Sequence, residues 1–328
     1  MSEQHIEIVQ PGIQSLVQDY PGRRGMLRQG FFPSGAMDYV AMQAANLLVG
    51  NPTSAAGIEI ALGNFSARVA ADTVIAACGA DVELSVDGQR LPLWESHAVR
   101  AGAELTVGIA ATTGFRIYIA VAGGIDVPPL FGSRATYTMG GLGGFNGRPL
   151  TAGDQLPLGD ADGGRAGRRF RHDARPVYSR EWEIEAVVGP QAAPDYLTED
   201  DVAELFSHRW KVDRNADRTG IRLESHRFAW ARSSGGVAGG HPSNILDNPY
   251  PVGAVNVNGD LPVILGPDGP TAGGFIVAAT VVHAAFWKIG QLRPGGDHLR
   301  FRQVTVQDAA RLEQERRERL SEASIEAG

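Results

Sequence analysis

Ten residues toward the end of the chain, His241-Pro242-Ser243-Asn244-Ile245-Leu246-Asp247-Asn248-Pro249-Tyr250, hold one histidine, one serine, two asparagines, one aspartate and one tyrosine. Prolines at 242, 249 and 251 stiffen the backbone between them. Directional hydrogen-bonding groups held this rigidly suit a pocket that reads a small planar amide through donors and acceptors. A polar network that only holds a loop together is the alternative. On the functional reading, His241, Asn244 and Asp247 are the candidate catalytic residues. Ser243, Asn248 and Tyr250 are candidates for holding substrate.

Three other clusters are set among glycines and prolines. Gln18-Asp19-Tyr20-Pro21-Gly22-Arg23 and Pro33-Ser34-Gly35-Ala36-Met37-Asp38 place two carboxylates and an arginine close in sequence. Asp19 can form an Asx-turn and Asp38 an N-cap; alternatively Gln18, Asp19, Arg23 and Asp38 orient a polar ligand. Gly266-Pro267-Asp268-Gly269-Pro270-Thr271-Ala272-Gly273-Gly274 is either a hairpin connection or a stretch whose backbone approaches a ligand closely, with Thr271 a further binding candidate. The common catalytic motifs are missing: no G-x-S-x-G, no P-loop, no H-E-x-x-H. None of the eight histidines pair at metal-ligand spacing, so no metal is expected.

The elements that must position these clusters are mainly strands. Ile6–Val9, Phe65–Val69, Val74–Cys78, Val82–Val86, Leu105–Val107 and Arg116–Val121 read as strands, with Asp87-Gly88 a hairpin turn. A helix is expected over Tyr39–Val49, capped by Asp38 and stopped by Gly50-Asn51-Pro52, with one face in the core. After a polar, glycine-rich stretch over 160–180, strands resume at Trp182–Val188 and recur at Ala254–Val257, Pro262–Leu265 and Leu299–Arg302. A short helix starts at Thr198, where Asp201 completes an acidic capping box. The expected organisation is therefore a β-rich unit over 1–159, a linker over 160–180, a second β-rich unit over 181–305, and a peripheral helical tail over 306–328.

The whole chain limits the options further. It has 328 residues, a formal charge of −7 and a pI near 5.6, with no basic face for nucleic acid. The 42 glycines and 19 prolines fit many short strands joined by tight turns. The single cysteine, Cys78, excludes an internal disulfide and reads as a small buried hydrophobe. No run of apolar residues is long enough to span a membrane, and no signal region opens the chain. A cytoplasmic protein is expected.

The motifs VQDYPGRRG, PSGAMD, NLLVGN, AVAGGIDVPPLFGSRAT and DRTGIRL, in this order, resemble the allophanate hydrolase subunit 2 family, which includes the C subunit of 5-oxoprolinase and KipA-type proteins. The stretch HPSNILDNPYPVGAVNVNGDLPVILGPDGP is similar to the carboxyltransferase domain of urea carboxylase. The resemblance implies a mainly β fold with a few helices and a cyclophilin-like β-barrel architecture in two β-rich units. It also implies a carboxyltransferase subunit that moves a carboxyl group from carboxybiotin to an amide-type nitrogen of urea, guanidine or a related amide. Biotin would come on a separate carrier, and ATP would be used only by a partner subunit. The implied partners are a subunit-1-like (KipI-type) protein, a biotin carboxylase and its carrier, without which the chain would be inactive. A lactam-opening subunit and a non-catalytic regulatory binder are the alternatives.

Overall fold

The computed structural model describes residues 4–161 and 164–328. The chain forms two compact units. One runs to Tyr178 and includes Arg317–Gly328; the other is Ser179–Arg316.

The first unit is built from two sheets. One has six strands in the order 155–157, 5–10, 63–69, 104–109, 84–86 and 89–91. The other has five, in the order 14–18, 57–61, 116–121, 73–79 and 96–99. Their inward positions make one apolar core, with Ile6, Phe65 and Leu105 from the first sheet and Ile58, Ile75 and Ile119 from the second. Such alternation is what a sandwich requires. The Asp87-Gly88 hairpin forms as expected, with φ of 49° and 79°.

The helix α1 (Tyr39–Val49) lies against the outer face of the five-stranded sheet, contacting strands 73–79 and 116–121. Asp38 caps it by accepting the Ala41 N–H at 3.0 Å, and Gly50 closes it in the left-handed conformation. The sequence suggests one buried face, but all eleven residues are buried. The reason is tertiary: the strand Arg168–Phe170 also contacts this helix. The same stacking explains why Arg116–Val121 is buried on both faces.

Where the sequence suggests a linker over 160–180, Arg168–Phe170 is a strand paired with Ile325–Ala327 near the chain's end. Asp162 and Gly163 of that stretch lie outside the described residues. The expected tail therefore divides, its helical part belonging mostly to the second unit and its last residues to the first.

The second unit is one eight-stranded sheet. Its order is 210–211, 298–303, 181–188, 272–281, 254–258, 261–265 and 220–222, with Asn244–Pro249 also pairing with 272–281. Every pairing is antiparallel except 181–188 with 298–303. The helix α2 (Glu199–Ser207) starts from the expected box: Thr198 Oγ1 accepts the Asp201 N–H and Asp201 Oδ2 accepts the Thr198 N–H, both at 3.0 Å. Two further helices, α3 (Phe286–Gln291) and α4 (Val306–Arg319), complete the unit.

The stretch around Asn244 differs from the expected loop. It is a strand whose register slips between Asn244 and Asn248. Prolines at 249 and 251 hide it from a search for regular alternation, because they donate no ladder hydrogen bond.

Candidate functional site

The strand Asn244–Pro249 is fixed at both ends. At its start, the Arg232 guanidinium donates to the carbonyls of Pro242 (Nε, 2.8 Å) and Asn244 (Nη2, 2.7 Å) while lying over the Tyr196 ring at 4.3 Å. At its end, the Tyr250 hydroxyl accepts the Phe275 N–H at 2.7 Å and donates to the Phe275 carbonyl at 3.0 Å. The Tyr250 ring packs on Gly273, where a Cβ would come within 2.8 Å of it. Burial pushes the Tyr250 phenol above its ordinary value. The Tyr250 N–H bonds to the Thr271 carbonyl at 2.8 Å, so Thr271 enters through its backbone.

His241, Ser243 and Asn244 come together at the start of this strand. Ser243 is fully buried, and its Oγ accepts the Gly259 N–H at 3.0 Å. Its own N–H donates to His241 Nδ1 at 3.1 Å, and its hydroxyl lies 2.9 Å from the same nitrogen. With its oxygen accepting from Gly259, the hydroxyl proton points to Nδ1. Nδ1 is then an acceptor, and the neutral imidazole carries its proton on Nε2. The Trp230 ring meets the imidazole edge-on at 5.4 Å.

Asn244 is held by shape. A Cβ on Gly239 would sit 2.5 Å from its Nδ2, and one on Gly235 2.8 Å from its own Cβ. Only glycine at these positions lets the turn close on the side chain. Among the described residues, no group hydrogen-bonds the half-buried Asn244 amide. It is a positioned donor–acceptor pair available to a ligand. Asp247 is exposed, and its carboxylate accepts only the Asn248 N–H, at 3.0 Å. Asn248 pairs with Gln191, whose Nε2 donates to Asn248 Oδ1 at 3.3 Å while its Oε1 accepts the Val277 N–H. Gln191 was not legible as part of this cluster, because 57 residues separate the two amides.

The other candidates lie in the first unit and bind its motifs to one another. Gln18 Nε2 donates to the Thr136 carbonyl at 3.1 Å and its Oε1 accepts the Gly35 N–H at 3.0 Å. Asp19 accepts from the Ser133 hydroxyl at 2.8 Å and the Arg134 N–H at 2.6 Å. Burial pushes the Asp19 carboxyl up, although those two donors and the charges of Arg23 and Arg134 oppose it. Arg23 is buried and donates to the Ala135 carbonyl. Asp38 caps α1 and accepts the Tyr178 hydroxyl at 2.8 Å, while its N–H donates to Tyr118, whose hydroxyl reaches Glu59 at 2.8 Å. An open cavity of about 890 Å³ in this unit is lined by Tyr178, Arg175, His172, Trp94, Arg90 and Glu83 among others. None of its lining residues was singled out from the sequence.

Cys78 is fully buried, as its apolar surroundings suggest, and burial pushes its thiol well up. The fold also brings together groups that sequence spacing keeps apart: Glu204, His208 and His226 place ligand atoms within 4.8 Å of one another. Glu204 and His208 are four apart at the end of α2, a spacing that could have been noticed; His226 arrives through the fold. Among the described residues, no helix is long and apolar enough to cross a membrane.

The architecture and the site define a mainly β protein with a rigid amide-bearing strand, suited to binding a small polar substrate. The family model "Carboxyltransferase domain, subdomain A and B" matches residues 29–303, and the chain belongs to that family. It is 40% identical over 315 residues to urea amidolyase of Saccharomyces cerevisiae, covering 94% of this chain and 17% of that protein. It is 31% identical over 319 residues to the C subunit of the Escherichia coli 5-oxoprolinase, covering 94% of each. The structure of the Kluyveromyces lactis urea carboxylase superposes with a TM-score of 0.92 at 37% identity, over 99% of this chain and 29% of that one. The chain thus spans about a fifth of the length of the yeast urea amidolyase it matches.

Proposed function

We propose that this chain is the carboxyltransferase component of a biotin-dependent carboxylase acting on urea, guanidine or a related amide, working with a subunit-1-like partner, a biotin carboxylase and its carrier. The observation that carries the reading is Asn244: a side-chain amide wedged by two glycines, with no hydrogen bond of its own. An amide in that state can accept from a substrate N–H and donate to an oxygen, as recognition of a urea-like group requires.

The residues fit a ureido ring as well as a substrate, since Asn244 offers both donor and acceptor and His241 offers the Nε2 proton. Bound there, carrier-borne carboxybiotin supplies the activated carboxyl group. The chain's own residues do the remaining work. Asn244 fixes the orientation of the substrate amide. His241, locked by Ser243, presents Nε2–H toward developing negative charge on oxygen. Asp247 accepts a substrate N–H from the exposed side. The anchoring by Arg232 and Tyr250 keeps these groups from reorganising, and this positioning lowers the barrier.

The test is Asn244→Ala in the complex reassembled with partner, carboxylase and carrier. Urea- or guanidine-dependent ATP turnover should fall by about 100-fold, the usual effect of deleting one fixed donor. Unchanged turnover removes Asn244 from the site.

A second reading, a component of an ATP-dependent 5-oxoprolinase, is favoured by the full-length match to the Escherichia coli protein. Under that reading, 5-oxoproline rather than urea stimulates ATP turnover, and avidin leaves the activity untouched.

A further inference from the structure

We propose that Glu204, His208 and His226 form a divalent transition-metal site that joins the end of α2 to the extended segment following Leu223. Their ligand atoms all lie within 4.8 Å of one another. His226 Nε2 is 3.5 Å from Glu204 Oε2. His208 Nε2 is 3.2 Å from Oε1 of Glu224, a fourth possible ligand. Tetrahedral ligands about 2.0–2.1 Å from a zinc-like ion stand about 3.4 Å apart. These two pairs are already at that separation, and only small side-chain rotations bring them around one ion.

A second observation points the same way. His226 Nε2 is shielded from solvent and makes no hydrogen bond. A buried imidazole nitrogen ordinarily has a partner. This one is aimed at a carboxylate it does not bond, which is how two ligands of one ion are placed. The rings are held for the purpose. His208 packs edge-on against Trp210 at 4.5 Å and His226 against Phe228 at 4.9 Å. The Lys211 N–H fixes Glu224 Oε1 at 3.0 Å.

The donor set selects the ion. Two imidazoles with carboxylates suit zinc or a similar borderline divalent cation, whereas calcium and magnesium prefer an all-oxygen shell. Glu204 and Glu224 are half-exposed, which gives the ion an entry route. The effect of the ion is structural: it pins α2 to the segment that leads to Trp230, the residue whose ring meets His241.

The experiment uses the full chain, purified without a histidine tag, stripped with EDTA and titrated with Zn²⁺ and with Co²⁺. Expected are one ion per chain, the intense visible absorption of four-coordinate cobalt, and a higher thermal midpoint with Zn²⁺. His226→Ala should weaken Co²⁺ binding by about a hundredfold and abolish the midpoint shift. Because His226 also packs against aromatic rings, Glu204→Gln serves as the second variant; its half-exposed side chain leaves the fold intact and should weaken binding by about tenfold. Failure of the wild-type chain to bind a stoichiometric ion overturns the assignment. So does undiminished binding by Glu204→Gln and His226→Ala together.

Discussion

Arg218 and Asp268 are both almost completely buried and form a two-pronged pair, Nε to Oδ2 at 2.7 Å and Nη2 to Oδ1 at 3.3 Å. The arginine comes from the DRTGIRL motif and the aspartate from the turn after Leu265. Removing one partner of such a pair leaves a buried charge without its counter-ion. Asp268→Ala should therefore lower stability by about 3–5 kcal/mol in urea unfolding, while Asp268→Asn, which keeps the shape and one acceptor, lowers it less. The pair also explains why two distant motifs occur together: each supplies half of one contact. Tyr250 calls for a different experiment. Its hydroxyl is fully engaged with the backbone of Phe275, so Tyr250→Phe should cost about 1–3 kcal/mol of stability. Turnover per folded molecule should change far less than for Asn244→Ala. A collapse of turnover with unchanged stability would instead put Tyr250 in contact with substrate. The residue types near 245 were readable as an amide-binding set because they are crowded in sequence. Which of them are engaged with their neighbours was not readable. That depends on Gln191, Phe275 and Gly259, which only the sheet brings near.

The helix α2 shows how a local signal acquires a long-range role. Asp201 completes its capping box and also accepts the N–H groups of Ala229 at 2.7 Å and Trp230 at 3.0 Å. Burial pushes this carboxyl up, but the donors from Ala229, Thr198 and Trp230 outweigh it and hold the group below its ordinary value. A native value below the unfolded one means that the unfolded chain takes up the proton first as pH falls. The stabilisation is thus complete above the unfolded value and is lost as pH drops through the native one. Asp201→Ala should cost about 2–3 kcal/mol at neutral pH, and denaturation curves of variant and wild type should converge below about pH 4. A gap independent of pH would remove the carboxylate charge from the account. The ends of α1 and α2 were legible to the residue, since caps are set by side chains within a few positions. The burial of every face of α1 was not, because two layers of the first unit enclose it. The strand at Asn244 was missed for a related reason. Its pairing runs through a slipped register and its prolines break the alternation on which strand reading depends.

At the scale of the whole molecule, the chain matches 94% of a stand-alone bacterial protein and only 17% of a much longer urea amidolyase. Carboxyl transfer from a carrier needs the remaining machinery to reach the site around Asn244. The surface there has features of a covered one. Val237 and Leu246 are 92% and 76% exposed, and they sit on contacting elements, the turn Gly236–Ala238 and the strand Asn244–Pro249. Apolar side chains presented beside a polar site are a usual mark of a docking surface. If the partner or the carrier seats on them, a charge placed there must be desolvated at the contact. Leu246→Asp and Val237→Asp should then each weaken assembly with the subunit-1-like partner by about tenfold or more, read by titration of labelled protein. The thermal midpoint of the isolated chain should stay where it is, since neither side chain is in the core. The isolated chain should show no urea-dependent turnover, and addition of partner, carboxylase and carrier should restore it. Assembly that is indifferent to both charges would move the docking surface elsewhere on the molecule while leaving the assignment of Asn244 to its own test.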